Sequence, residues 1–386
     1  LVACGDGGGG GPDAPPQPVD ATADDSFGAT FPPPAQLFKG TGGVMTTPTV
    51  VPIFFAGDDA MQAQMEGFFA ALPSSTYWPA IAAEYGVGAL TFAPTIVSTD
   101  APPVTGLALQ QWIRTNAGNK GWPAPGPNTL FAVFTPAGVT VSDAGFVSCV
   151  DYGAYHSEVM GTPIIFALMP RCSPSLDHLT ANLTHEVIEA ATDPHPYTSP
   201  GWSVIDQPDE ILAFLPGAEV GDLCEYLDAV DQPLVGTYKV PRIWSNAAAG
   251  SGHHPCVPAP AVPFITAAAN VSGTVFFPGR GGQDWTRGIQ LPVGATTTID
   301  VVMYSDVPTE PWTVVPLDAA SVIGGGPPEL ALSVAPAVGT SGSHLTLTVT
   351  RKAAGAGTVP GGSAILLSVR TAAQVEVSQS WAYVGN

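Results

Sequence analysis

Positive charge is what this chain has least of. Its 386 residues include 11 Lys+Arg against 32 Asp+Glu, a net charge of −21. So acidic a surface repels a phosphate backbone, which argues against a nucleic-acid partner and leaves divalent cations as compatible ligands. Charged residues make up only 11% and hydrophobic residues 45%, a balance more typical of exported chains than of cytosolic ones. No apolar run reaches the roughly 18 residues that a membrane-spanning helix needs. No Cys-x-x-Cys pair occurs, which disfavours a thiolate zinc site. Neither a Gly-x-Ser-x-Gly elbow nor a glycine-rich strand-to-helix loop is present, so serine hydrolysis and nucleotide binding find little support.

Cysteines are few but placed informatively, five in all. Leu1-Val2-Ala3-Cys4 reads as the end of a bacterial lipoprotein signal, with Cys4 as the residue that would carry the lipid. Gly7 to Gly11 and the proline-rich acidic stretch up to Phe31-Pro32-Pro33-Pro34 cannot bury a core. Residues 1–36 are therefore expected to be a flexible tether. Together these features predict an extracytoplasmic protein held to a bacterial membrane or cell surface through a lipid anchor, with plain secretion as the alternative. The other four cysteines, an even number, favour disulfides in such a compartment. Nearness in sequence pairs Cys149 with Cys172 and Cys224 with Cys256.

Along residues 37–257 apolar strand-like runs alternate with helical spacing. Thr49 to Gly57, Leu90 to Val97, Leu130 to Thr135 and Pro163 to Met169 read as strands, and Ala60 to Leu72, Tyr77 to Glu84, Leu107 to Asn116 and Ser175 to Thr192 as helices. Tyr238 to Asn246 reads as a further strand. That order predicts a layered α/β domain. Residues 258–263 form a proline-rich linker. Residues 264–386 change texture, with short alternating strands such as Thr297 to Tyr304 and His344 to Thr350, no cysteine and no long helical pattern. An all-β sandwich of Ig-like character is expected there.

The chemistry concentrates in Leu183-Thr184-His185-Glu186-Val187-Ile188-Glu189-Ala190-Ala191-Thr192-Asp193-Pro194. At about 100° per residue, His185 and Glu189 fall one turn apart on one face and can grip a single ion. Glu186 projects to the side, where a general base would polarise a metal-bound water. This is zincin logic with Glu in place of the second histidine, so the helix and its element order predict a zincin-like domain. A catalytic zinc needs a third ligand. Asp193 and His195 follow closely, but Thr192 and Pro194 stand where a glycine turn would be needed. The later cluster at Glu219 and Asp222, beside Cys224, supplies better candidates. All-oxygen ligation by Asp193, Glu219 and Asp222 would suit calcium instead. His156 is open to three readings: ligand, oxyanion donor or ordinary core histidine.

With these landmarks in view, Ile53 to Cys256 resembles the EXORDIUM-like (phosphate-induced protein) family of plants and related bacterial exported proteins. The resemblance runs through Ile53-Phe54-Phe55, Gly153-Ala154-Tyr155-His156-Ser157, the His185-Glu186 helix with Thr192-Asp193-Pro194, Gly201-Trp202, Glu219-Val220-Gly221-Asp222-Leu223-Cys224 and Ile243-Trp244-Ser245-Asn246. It implies an extracellular protein linked in plants to growth and the cell wall, and it brings no established reaction.

Two functions follow. In one, the chain is a metallohydrolase, a peptidase with zinc on His185 and Glu189, completed by Glu219 or Asp222. Glu186 is then the general base and His156 the oxyanion donor. In the other, it is a non-enzymatic surface protein that binds a peptide or cell-surface polymer, and the same acids hold a structural calcium or zinc ion.

Overall fold

The strand Thr49–Phe55 (β1) is apolar on both faces and buried almost end to end, so it must lie between two layers. In the computed structural model, which describes residues 35–205, 209–214, 218–225, 231–278, 284–323, 325–353 and 359–385, β1 runs parallel to Thr91–Phe92 (β2), Ile96–Ser98 (β3) and Thr129–Phe134 (β4). Tyr155–Glu158 (β5) lies antiparallel to Ile165–Met169 (β6), and β6 is parallel to β4. Cys4 and nearly all of the expected tether lie outside the described residues. Among the described residues, strands far outnumber helices, and no helix is long and apolar enough to cross a membrane.

Alternation within the strands builds the layers. Val50, Phe54, Leu130, Ala132 and Phe134 pack with residues of Asp59–Ser74 (α1), Tyr77–Ala82 (α2) and Leu176–Thr192 (α4). Val51, Ile53, Phe55, Phe131 and Val133 turn the other way, onto Leu109 and Ile113 of Gly106–Asn116 (α3) and onto Trp122. Helix α4 starts after Ser175, whose N–H donates to Ser173 Oγ at 3.1 Å, and ends before Pro194. It crosses directly over β5 and β6.

Tyr238 to Asn246 is not one strand. It divides into Tyr238–Val240 and Ile243–Trp244 (β7), and Asn246–Gly250 is a short helix whose N-cap Ser245 accepts from Ala248 N–H. Pro241 has no N–H to give to a ladder, which breaks the run. β7 pairs with Cys256–Val257 (β8).

From residue 265 onward two sheets face each other. One has the order Ile265–Ala269 (β9), Thr296–Ser305 (β12), His344–Arg351 (β16), Leu330–Ala335 (β14). The other has the order Thr274–Phe277 (β10), Asp284–Gln290 (β11), Glu376–Gly385 (β18), Gly362–Arg370 (β17), Trp312–Asp318 (β13), Val338–Gly339 (β15). Ile299, Val301 and Met303 of β12 and Leu345, Leu347 and Val349 of β16 meet Trp312, Val314, Ile365, Leu367 and Val369 between the sheets. Sequence reading missed β9, β11, β13 and β15; in β11 and β13, Gly288 and Pro316 interrupt the alternation. The two sheets do not stand apart from the first half. Val275, Phe277 and Tyr383 belong to the same apolar cluster as Ile211 and Leu212, and Arg287 Nη2 meets Asp209 Oδ2 at 2.8 Å.

His254 lies at this junction, buried against Phe264. Its Nδ1 accepts from Cys256 N–H at 3.1 Å, which requires that nitrogen to be unprotonated. Burial, with Arg242 adding to it, pulls its pKa down from 6.5 to about 4. The unfolded chain therefore takes the proton first. Its contribution is complete above about pH 6.5 and is lost as pH falls toward 4, a loss of about 2–3 kcal/mol. Urea unfolding of wild type and His254→Gln at pH 7 and pH 5 checks this: the drop between the two pH values should be smaller in the variant by about 2 kcal/mol.

Candidate metal centre

Strand periodicity sets the first arm of the site. On β5, Tyr155 turns toward Phe166 and the α3 side. His156 and Glu158 therefore share the opposite face, under α4. Glu158 is buried and organises the chain that follows the helix. It accepts from Tyr197 N–H at 3.1 Å, Thr198 N–H at 2.8 Å and Thr198 Oγ at 2.6 Å, and it meets His195 Nδ1 at 3.0 Å. His195 is thus spoken for by Glu158 rather than drawn into the acidic cluster. Asp193 accepts from Gly201 N–H at 2.7 Å.

The second arm is α4. Spacing puts His185 and Glu189 together, and His185 Nε2 lies 3.1 Å from Glu189 Oε1. The polar side of this helix is not a solvated face. Glu186 and Glu189 are 5% and 3% exposed, covered by β5 and by the segment 218–225. That segment is the third arm. Val220 anchors it in the apolar cluster, its carbonyl accepts from Trp244 N–H at 2.9 Å, and Cys224 is bonded to Cys256. The other pair, Cys149 and Cys172, is also bonded. The N–H groups of Gly221 and of Asp222, which opens Asp222–Glu225 (α5), donate to Glu189 Oε1 at 3.2 and 3.3 Å. A Cβ on Gly221 would lie 2.8 Å from Glu189 Oε1 and from His185 Nδ1. Only glycine lets the loop approach so closely.

Four sequence-predicted ligands and both predicted catalytic residues come together here. His185 Nε2 is 3.5 Å from Asp222 Oδ1. His156 Nδ1 is 3.6 Å from Glu186 Oε2 and 3.7 Å from Glu189 Oε2, and His156 Nε2 is 3.6 Å from Glu219 Oε1. Among the described residues two trios have ligand spacing, His156 with Glu189 and Glu219, and His185 with Glu189 and Asp222. Glu219 Oε1 is buried without a hydrogen-bond partner.

The electrostatics are those of crowded anions. Burial pushes the Glu219 carboxyl well up and raises Glu186 and Asp222, and it lifts Asp193 to about 6. Glu189 goes the other way. Burial would raise it, but His185 and His156 on either side hold it at about 2. Burial would lower both imidazoles, yet the carboxylates around them outweigh it and raise both well above the ordinary value. A cation placed among these groups offsets the repulsion that protons otherwise have to relieve.

What sequence reading missed was Glu158, which lies in a four-residue strand with no periodic signal, and the Gly221 and Asp222 N–H groups behind Glu189.

No family model and no curated protein matches the chain. Among solved structures, surface layer protein SbsC, domains 1–6, is similar at 17% identity and a TM-score of 0.21, over 33% of this chain and 14% of that one. SbsC domains 4–9 is similar at 14% identity and a TM-score of 0.19, over 30% of this chain and 14% of that one. The chain thus spans about a seventh of either structure, and such scores define no common overall arrangement. The two disulfides point to a chain that folds in an oxidising, extracytoplasmic compartment.

Proposed function

We propose that this protein is a non-enzymatic, extracytoplasmic binding protein whose first half is clamped by a divalent metal ion on His185, Glu189 and Asp222. The observation that carries the reading is the convergence on Glu189. A helix residue and a loop residue approach it together, and the loop's own N–H groups orient it. An ion there would cross-link α4 to the loop that Cys224–Cys256 secures. The imidazole donor favours a zinc-class ion over calcium, which takes oxygen ligands. Cell-surface attachment through Cys4, kinship with EXORDIUM-like proteins and a polymer partner for the β-sheet half belong to the same proposal.

Untagged protein purified without chelator is expected to contain zinc-class metal by elemental analysis. EDTA should lower its unfolding free energy by about 2.7 kcal/mol when free metal had been about 100-fold above Kd. Metal-free protein whose stability ignores both zinc and EDTA would remove the reading.

One observation favours a second reading, a metallohydrolase of zincin-like type. Glu186 stands at the position next to His185 where such enzymes keep their base, and its carboxylate reaches the same cluster. Turnover of a peptide library by the metal-loaded protein, lost in Glu186→Gln, would establish it. The clamp reading expects no turnover.

A further inference from the structure

We propose that Glu189 bridges two divalent cations, one held with His185 and Asp222 and a second held with His156, Glu219 and Glu186. The proposal rests on the metal reading above and goes beyond it in number, ligands and the role of Glu186.

The two histidines approach opposite oxygens of one carboxylate. His185 Nε2 faces Oε1 and His156 Nδ1 faces Oε2. That arrangement suits a bridging carboxylate, which presents one oxygen to each of two ions. In each trio, with one ligand atom per residue, the atoms lie within 4.8 Å of one another.

The tautomer of His156 points the same way. Its Nε2 lies 3.1 Å from the Asp193 carbonyl, which can only accept. Nε2 therefore keeps its proton, and Nδ1, which faces two carboxylates, is the nitrogen that would give up its proton for a cation. A backbone carbonyl behind the far nitrogen is how metal-ligating histidines are oriented. The gaps from Nδ1, 3.6 Å to Glu186 and 3.7 Å to Glu189, exceed a good hydrogen bond. They match two donors that each sit about 2.1 Å from one ion. Glu219 Oε1, buried and without a hydrogen-bond partner, lies 3.6 Å from the other ring nitrogen and shares the ligand-spaced trio of His156 and Glu189.

Glu186, Glu189, Glu219 and Asp222 crowd around the two histidines, with Asp193 beside Glu219, and cations bound between them would relieve the repulsion among these carboxylates. Imidazole with carboxylate suits zinc or manganese.

The test is stoichiometry on the full chain, with manganese as the probe. Metal-free protein is titrated with Mn(II), and bound metal is measured by elemental analysis and electron paramagnetic resonance. Wild type is expected to bind about two ions in an exchange-coupled pair, the arrangement of two-metal sites. Glu219→Gln and His156→Ala are expected to keep one ion with an uncoupled spectrum, and circular dichroism checks that each variant is folded. The Glu219 side chain is 17% exposed against 3% for His156, so its variant guards against a misfolded His156→Ala. One ion in wild type, lost in His156→Ala and His185→Ala alike, would overturn the bridge while leaving a single-ion clamp. No ion in wild type would overturn the clamp itself.

Discussion

Glu189→Ala is expected to empty the centre of metal, with affinity falling by more than about 100-fold. Changes to residues that merely orient ligands already cost 10–100-fold, and Glu189 touches more of this site than any orienting group. It lies between His185 and His156, and it accepts from both Gly221 and Asp222. The same substitution should cost about 3–5 kcal/mol even without metal. It strips buried His156 and half-buried His185 of a counter-charge and leaves two backbone N–H groups unpaired. Glu189→Gln separates the two effects. The amide oxygen still accepts from the loop, so less stability is lost, but the missing charge still prevents ligation. Elemental analysis and urea unfolding of the two variants read metal and stability independently. Full metal content in Glu189→Ala would sink the assignment.

Glu158→Ala should be nearly as damaging, although Glu158 ligates nothing. Its carboxylate takes hydrogen bonds from Tyr197, from Thr198 twice, and from His195. Deleting it leaves those part-buried donors without their charged acceptor, at a cost of about 2–3 kcal/mol. It would also free the chain after α4, whose Asp193 carbonyl orients His156. Weaker metal binding is therefore expected alongside the lost stability. Glu158→Gln retains an acceptor and should fall between wild type and Ala. Unfolding free energies of the three proteins at pH 7 decide this, and equal stability of wild type and Glu158→Ala would refute the role.

Much of the chain was legible because its signals are local. The uninterrupted apolarity of Thr49–Phe55 and Ile165–Met169 can only suit strands buried on both faces. The fourfold spacing of His185 and Glu189 places them together on any α-helix. Other features were invisible for equally physical reasons. Tyr155–Glu158 is too short to show a period, so the burial of Glu158 and the direction of His156 depend on pairing with β6. The segment Tyr238–Asn246 carries strand-forming residues, yet Pro241 divides it.

By itself the sequence determined the acidic surface, the apolar layers, the helix with its ligand spacing, and four cysteines free to form two bonds. Tertiary structure alone decided which acids meet. Glu219 and Asp222 lie some thirty residues from Glu189, His156 lies a similar distance on the other side, and His195 sits closer than either yet is held by Glu158. Contacts at such separations are set by how the sheet and the disulfide-secured loop bring backbone together, and no short-range spacing encodes that.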